Sequence, residues 1–147
     1  MGLIERLAGR RTYLDANVLI YSFEGPPNVA GELQRLFGAV AQGHLNVVTS
    51  ELALAEMLVK PLREQKSQQA DRYLTTLQPR PHFDVHPVTR AILVEAARLR
   101  AASKLKLPDA IHAATAQFTG CEVFLTNDQR IKSLPDIEVI QLSSPGA

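Results

Sequence analysis

Asp15, Glu56, Asp109 and Asp128 are carboxylates in places where building a fold does not call for them. Asp15 interrupts the apolar run Tyr13-Leu14-Asp15-Ala16-Asn17-Val18-Leu19-Ile20-Tyr21. Glu56 sits between Ala55 and Met57, Asp109 opens a small apolar stretch after Pro108, and Asp128 follows Thr126-Asn127. An acid in such surroundings is costly unless a hydrogen-bond network, a basic partner or a divalent metal compensates it. Several acids brought together repel one another and stay protonated or push the fold open, unless a cation neutralises them. Oxygen donors without a cluster of histidine and cysteine favour Mg²⁺ or Mn²⁺ over zinc. Each acid also has an ordinary use: Asp109 at a helix dipole, Asp128 as a cap, Asp15 with Asn17 in a buried turn network, Glu56 on a solvated helix face. The set argues for a metal site more strongly than any member does.

The remaining reactive side chains add little. His82 and His86 flank Phe-Asp-Val among prolines, which reads as a strand and spreads the two rings too far apart to chelate together. His112 follows Asp109 by one helical turn and can approach the acids, but it reads as a packed core histidine. Cys121, the only cysteine, reads as a small buried hydrophobe, excludes an intrachain disulfide and suits a reducing compartment.

The elements that must position the acids follow from periodicity. Leu3, Ile4 and Leu7 suit a short amphipathic turn. The run at Tyr13 is a strand that enters the core and turns into a helix, so Asp15 falls at the carboxyl end of the strand. Gly25-Pro26-Pro27 breaks the chain, and a helix capped by Asn28 runs to Gly43. Asn46–Thr49 is a short buried strand, after which Ser50 caps a helix carrying Glu56 toward Pro61; a surface helix spans Leu62–Leu77. Phe83–His86 is a strand, Thr89–Ser103 a helix, and Pro108 begins a buried helix that Gly120 ends. Glu122–Thr126 is a strand, a short helix runs through Ile131, and Ile137–Leu142 is the last strand. This alternation predicts one domain, a three-layer α/β/α fold with a roughly five-stranded parallel sheet. In such a sheet the strand ends share one edge, where the four acids converge.

With 147 residues, 46% hydrophobic, the chain can bury a sizeable core. Sixteen basic against 15 acidic residues exclude nucleic-acid binding by bulk charge, so attraction to a polyanion has to be local. No apolar stretch reaches signal-peptide or membrane-span length, which reads as a soluble, cytoplasmic protein. Residues 1–11 form an extension of open purpose, and residues 143–147 read as a frayed tail.

Taken in order, Tyr-Leu-Asp-Ala-Asn-Val-Leu-Ile-Tyr, Thr-Ser-Glu-Leu-Ala-Leu-Ala-Glu-Met-Leu, Leu-Pro-Asp-Ala-Ile-His-Ala-Ala-Thr-Ala and Phe-Leu-Thr-Asn-Asp resemble the motifs of PIN-domain ribonucleases, especially VapC-type toxins of toxin–antitoxin pairs. The resemblance extends from about Thr12 to Leu142. It implies that Asp15, Glu56 and Asp109 are the principal metal-binding acids and Asp128 a more variable fourth. Asn17 then steadies the first acid and Thr126 is the hydroxyl beside the fourth. It also implies a Mg²⁺-dependent endoribonuclease, an RNA substrate, a protein antitoxin over the active site and a homodimer.

On that reading Asp15 and Asp109 hold the main ion, Glu56 joins directly or through water, Asp128 helps with a second ion or orients the attacking water, and Thr126 positions that water. Arg11, Lys60, Arg63, Lys104, Lys106, Arg130 and Lys132 flank the acidic motifs and are candidate contacts to the substrate backbone, although each by itself reads as solvated surface charge. Tyr21 and Phe23 read as core rather than base-stacking residues. Removing the charge of Asp15 or Asp109 is expected to abolish cleavage and leave the fold intact or slightly more stable. The rival readings are a PIN-fold RNA-processing nuclease outside a toxin–antitoxin pair, a structure-specific DNA nuclease, an inactive binding module and a receiver-like Mg²⁺-binding signalling domain. The last wants a phosphoacceptor acid after a middle strand, where this chain has Thr49-Ser50.

Overall fold

In the computed structural model, which describes residues 2–142, Tyr13 and Leu14 are both fully buried but face opposite sides of β1 (Thr12–Leu14). That alternation divides the core in two. Leu14 joins one apolar cluster with Val47, Val85 and Leu125, while Tyr13 joins another with Val48, Phe124 and Ala113. The sheet between them holds β1, β2 (Val47–Ser50), β3 (Phe83–His86), β4 (Val123–Thr126) and β5 (Glu138–Gln141). It is wholly parallel, in the order β3-β2-β1-β4-β5.

Helices cover both faces, as a parallel sheet requires. On the Leu14 side lie α1 (Leu3–Leu7), α2 (Ala16–Glu24), α3 (Pro27–Ala41), α4 (Glu51–Arg63) and α5 (Ser67–Thr76). On the Tyr13 side lie α7 (Leu107–Phe118) and, packed against it, α6 (Arg90–Ala101). The three-layer parallel fold is therefore the one the alternation of elements predicts. The amino-terminal extension is part of the core packing, because Leu3 and Leu7 are buried in the first cluster. The tail, 143–147, lies outside the described residues.

Several boundaries differ from expectation, among them the surface helix expected over Leu62–Leu77, which begins at Ser67 because α4 runs on through Pro61 to Arg63. α3 starts at Pro27 rather than after Asn28, since a proline in the first turn has the right φ and its missing N–H is one the helix leaves unbonded anyway. Pro61 does not stop α4. The helix ends two residues later, where Gln65 takes a left-handed φ of 57°. Lys66 N then donates to Pro61 O at 2.8 Å and Gln65 N to Leu62 O at 3.2 Å, a closing pair that satisfies the last carbonyls. α7 takes in Leu107, one residue before the proline expected to open it. The short helix after Asp128 is absent: the Gln141 side-chain amide donates to the carbonyls of Asp128 and Ile131, taking the place of intrahelical bonds.

Candidate active site

The strand order has its switch point beside β1: the chain builds outward through β2 and β3, then crosses back to place β4 on the other side of β1. Open α/β sheets form a crevice there, at the carboxyl ends of the strands. Leu14 pairs with Leu125, and Asp15 N donates to Leu125 O at 3.0 Å, so Asp15 and Thr126 stand side by side at the mouth of that crevice.

Asp15 is 5% exposed and its carboxylate is held by three donors. As the cap of α2 it accepts from Ala16 N at 2.9 Å through Oδ1; Oδ2 accepts from Thr126 Oγ1 at 2.7 Å and from Asn17 Nδ2 at 3.2 Å. Asn17 cannot reverse its amide, because its Oδ1 accepts from Asn127 N at 2.9 Å. Its place as the residue that steadies the first acid is thus fixed from both ends.

Thr126 accepts from Asn17 Nδ2 at 3.3 Å and from Asp128 N at 3.0 Å while donating to Asp15. A hydroxyl has one proton and two lone pairs, and all are engaged. The expectation that Thr126 orients a water is corrected accordingly: this side chain clamps Asp15 to the loop that carries Asp128. The same three donors need an acceptor opposite them, which argues against the expectation that loss of charge at Asp15 leaves the fold undisturbed.

Glu56 and Asp109 come from opposite layers. Glu56 reaches over the end of the sheet from α4 and accepts from His112 Nε2 on α7 at 2.5 Å. That nitrogen is 3.8 Å from Asp15 Oδ1, and the other ring nitrogen is 2.5 Å from the Tyr13 hydroxyl. His112 is buried, as expected, but it is a hub rather than packing. Burial opposes its charge, yet the hydrogen bond to Glu56 and the charges of Asp15, Glu56 and Asp109 outweigh it and raise the imidazole pKa. Tyr13, hidden in an apolar run, gave no sign of belonging here; its burial, chiefly, and the Asp15 charge push its phenol well above the ordinary value. The available signal for His112 was its spacing from Asp109, which sets both on one helix face.

Asp109 lies in the first turn of α7, and burial first, then the charges of Asp15 and Asp128, raise its carboxyl pKa. Those charges place the three carboxylates within one electrostatic neighbourhood. Asp128 is different, because Arg130 grips it with two bonds, 3.0 Å from Nε and 2.7 Å from the terminal nitrogen. Hydrogen bonding from Arg130 holds the Asp128 carboxyl below its usual range. Two of the four acids are therefore partly neutralised by the chain itself, Glu56 by His112 and Asp128 by Arg130.

Among the described residues no three His, Cys, Asp or Glu side chains form a ready-made cation cage. Mg²⁺ does not need one, since it keeps several waters and takes one or two carboxylates. Burial first, and then the negative charges of Asp15 and Asp128, disfavour an ionised Asp109, and a cation among these acids would offset both, so the donor set fits a hydrated hard cation.

The basic candidates divide. Lys106 and Arg130 join Lys104, Lys132 and Asp109 around a cavity of about 460 Å³ beside the acids. Arg11 does not join them. It precedes β1 and so lies at the amino edge of the sheet, where its Nε donates to Thr119 O at 2.7 Å. Lys60 is exposed about 6 Å farther along α4 than Glu56, in the last turn of a helix leading away from the crevice. Tyr21 and Phe23 pack against the core as expected, Phe23 on Tyr73. His82 and His86 turn to separate neighbours, His82 bonding to Asn46 and His86 lying 3.7 Å from Asp84. Burial raises the Cys121 thiol pKa, in keeping with an inert side chain.

Fold and site together define an α/β domain with an acidic crevice at its switch point. The PIN domain family matches residues 12–137, and the chain belongs to that family. No curated protein matches the sequence. Among solved structures, a chain of a toxin–antitoxin complex from Klebsiella pneumoniae is 25% identical, with a TM-score of 0.67 over 91% of this chain and 99% of that one. VapBC2 from Rickettsia felis, bound to a promoter DNA fragment, has a TM-score of 0.68 at 15% identity over 90% and 99%. VapC20 of Mycobacterium tuberculosis, a toxin that cleaves the sarcin-ricin loop, has a TM-score of 0.60 at 18% identity over 77% and 86%. Family membership sets aside the receiver-like alternative.

Proposed function

We propose that this protein is a metal-dependent endoribonuclease that hydrolyses RNA phosphodiester bonds and serves as the toxin of a toxin–antitoxin pair. The observation that supports it most is the switch-point crevice in which Asp15, braced by Ala16, Asn17 and Thr126, shares its field with Asp109 and Asp128. Likeness to chains of toxin–antitoxin complexes supports the biological role and, with it, a cognate antitoxin as partner. A homodimer belongs to the same proposal. No described helix is long and apolar enough to cross a membrane.

Asp15 and Asp109 would hold Mg²⁺, or Mn²⁺ in its place, with Glu56 and Asp128 completing the acidic set. The ion's chemistry there is to cancel the charge that repels a phosphodiester and to acidify a water. The chain's own residues do the positioning. Asn17 and Thr126 fix the Asp15 carboxylate without using the lone pair of Oδ1 left over after Ala16 N. His112 holds Glu56 at the crevice, and the Tyr13 hydroxyl fixes the tilt of the imidazole. Arg130 keeps Asp128 turned toward the loop that follows β4.

The test is incubation of the purified chain with total RNA, with and without Mg²⁺, followed by mapping of new 5′ ends. Cleavage that EDTA abolishes and Mg²⁺ restores is expected, together with growth arrest when the chain alone is induced in a bacterial host. Soluble protein that cleaves no RNA in Mg²⁺ or Mn²⁺ overturns the nuclease reading. Cleavage without growth arrest favours an RNA-processing nuclease outside a toxin–antitoxin pair.

A further inference from the structure

Next to the acids, the cavity of about 460 Å³ carries Lys104, Lys106, Arg130 and Lys132 against a single carboxylate, Asp109. This concentration is notable in a chain whose net charge is +1. Among the described residues Lys104, Lys106 and Lys132 have no ion-pair partner, and Arg130 has only Asp128. The wall is not all charge: Leu105 is partly buried and Ile131 fully so. Cationic side chains over an apolar wall, in a volume within the ~300–1,000 Å³ of small-molecule sites, match a nucleotide, which offers phosphate to the cations and sugar or base to the wall.

Another cation-lined cavity lacks this character. At the amino edge of the sheet Arg11, Arg80 and His82 line about 440 Å³. There Arg80 donates to the carbonyls of Thr76 and Gln78 and lies over the Phe83 ring, Arg11 donates to Thr119 O, and His82 bonds to Asn46. Its cations are already used within the fold.

We propose that the cavity between Lys104–Asp109 and Arg130–Ser133 is a nucleotide subsite, which holds the phosphate and sugar of the nucleotide adjoining the bond to be cut. Asp109 fixes the register, because it belongs both to this cavity and to the acidic crevice. A chain seated in the cavity therefore leads its neighbouring phosphodiester to the acids. Arg130 stands between the two regions. Its side chain, 65% exposed, holds Asp128 through an exchangeable pair, and the guanidinium can turn to a phosphate arriving in the cavity. The assignment of the adjoining bond rests on the nuclease reading, whereas the affinity of the cavity for a nucleotide does not.

The experiment is an NMR titration of ¹⁵N-labelled full chain in Mg²⁺ buffer with adenosine 5′-monophosphate, inorganic phosphate and adenosine in turn. The expected result is saturable shifts of the Leu105, Lys106, Ile131 and Lys132 amides with the monophosphate. Its affinity should exceed that of inorganic phosphate by about tenfold, the equivalent of ~60 Å² of apolar contact. The double variant Lys104→Gln, Lys132→Gln, which leaves the hydrogen-bonded acid network untouched, should weaken the monophosphate about tenfold or more and raise KM for RNA more than it lowers kcat. Shifts confined to other regions, phosphate binding as tight as the monophosphate, or a double variant with unchanged affinity each overturn the proposal. A chain that binds the monophosphate here but cleaves no RNA refutes the nuclease reading and leaves the subsite standing. Cleavage with no nucleotide bound in the cavity refutes the subsite alone.

Discussion

Replacing Asp15 by Asn removes one charge and changes almost no volume, so its effect on stability reports how the carboxylate is held. An asparagine can offer its one oxygen either to Ala16 N or to the pair Thr126 and Asn17. In both orientations its amide N–H confronts a donor. Thr126 cannot adapt by accepting, since its lone pairs already serve Asn17 and Asp128 N, and Asn17 is held by Asn127 N. The cheaper orientation abandons Ala16 N and leaves a buried donor opposed to a donor, at a cost of about 1–3 kcal/mol. For a chain of this size the melting temperature should fall by roughly 3–10 °C. Asp109→Asn is the control. It loses a favourable first-turn acid worth about 0.3–1 kcal/mol and relieves the burial of charge and, after it, the repulsion that raise the Asp109 carboxyl, so its stability should stay within ~1 kcal/mol of the parent. Thermal unfolding followed by circular dichroism, in EDTA at pH 7, separates the two, while both variants should lose Mg²⁺-dependent cleavage. An Asp15→Asn protein as stable as the parent refutes the reasoning, for it would mean that the three donors do not depend on the carboxylate.

Three other outcomes follow from the same geometry. Thr126→Val, which keeps the shape and removes the hydroxyl, should cost about 1–3 kcal/mol by denaturant titration because Asp128 N and Asn17 lose an acceptor and Asp15 a donor. The raised His112 pKa means that the folded chain binds its proton more tightly than the unfolded chain. That stabilisation is fully present below the unfolded value of about 6.5 and fades as pH rises through the folded value. In EDTA, the stability advantage of the parent over His112→Gln should therefore shrink between pH 6 and 9, and a constant difference would count against a protonated imidazole. Gly43→Ala should destabilise by about 1–2 kcal/mol in urea, since φ there is +80° and the new methyl would lie 3.1 Å from the His82 ring.

The residues alone determined the alternation of strands and helices and hence the layered parallel sheet, because buried strands and amphipathic helices differ in the period of their apolar residues. They also marked the acids, which are conspicuous in apolar surroundings. Local backbone detail escaped: the left-handed Gln65 that closes α4 is not written in its residue type, and the loop after Asp128 depends on Gln141, distant in sequence. Only the tertiary structure decided which charges offset the acids. His112 meets Glu56 across 56 positions of sequence and Tyr13 across 99, so no spacing rule could join them. Arg11 and Arg130 flank acidic motifs alike, yet parallel strands send one to the amino edge and the other to the crevice. Sequence records which side chains are unusual for their surroundings; direction of the strands and the order in which they pair determine which of them meet.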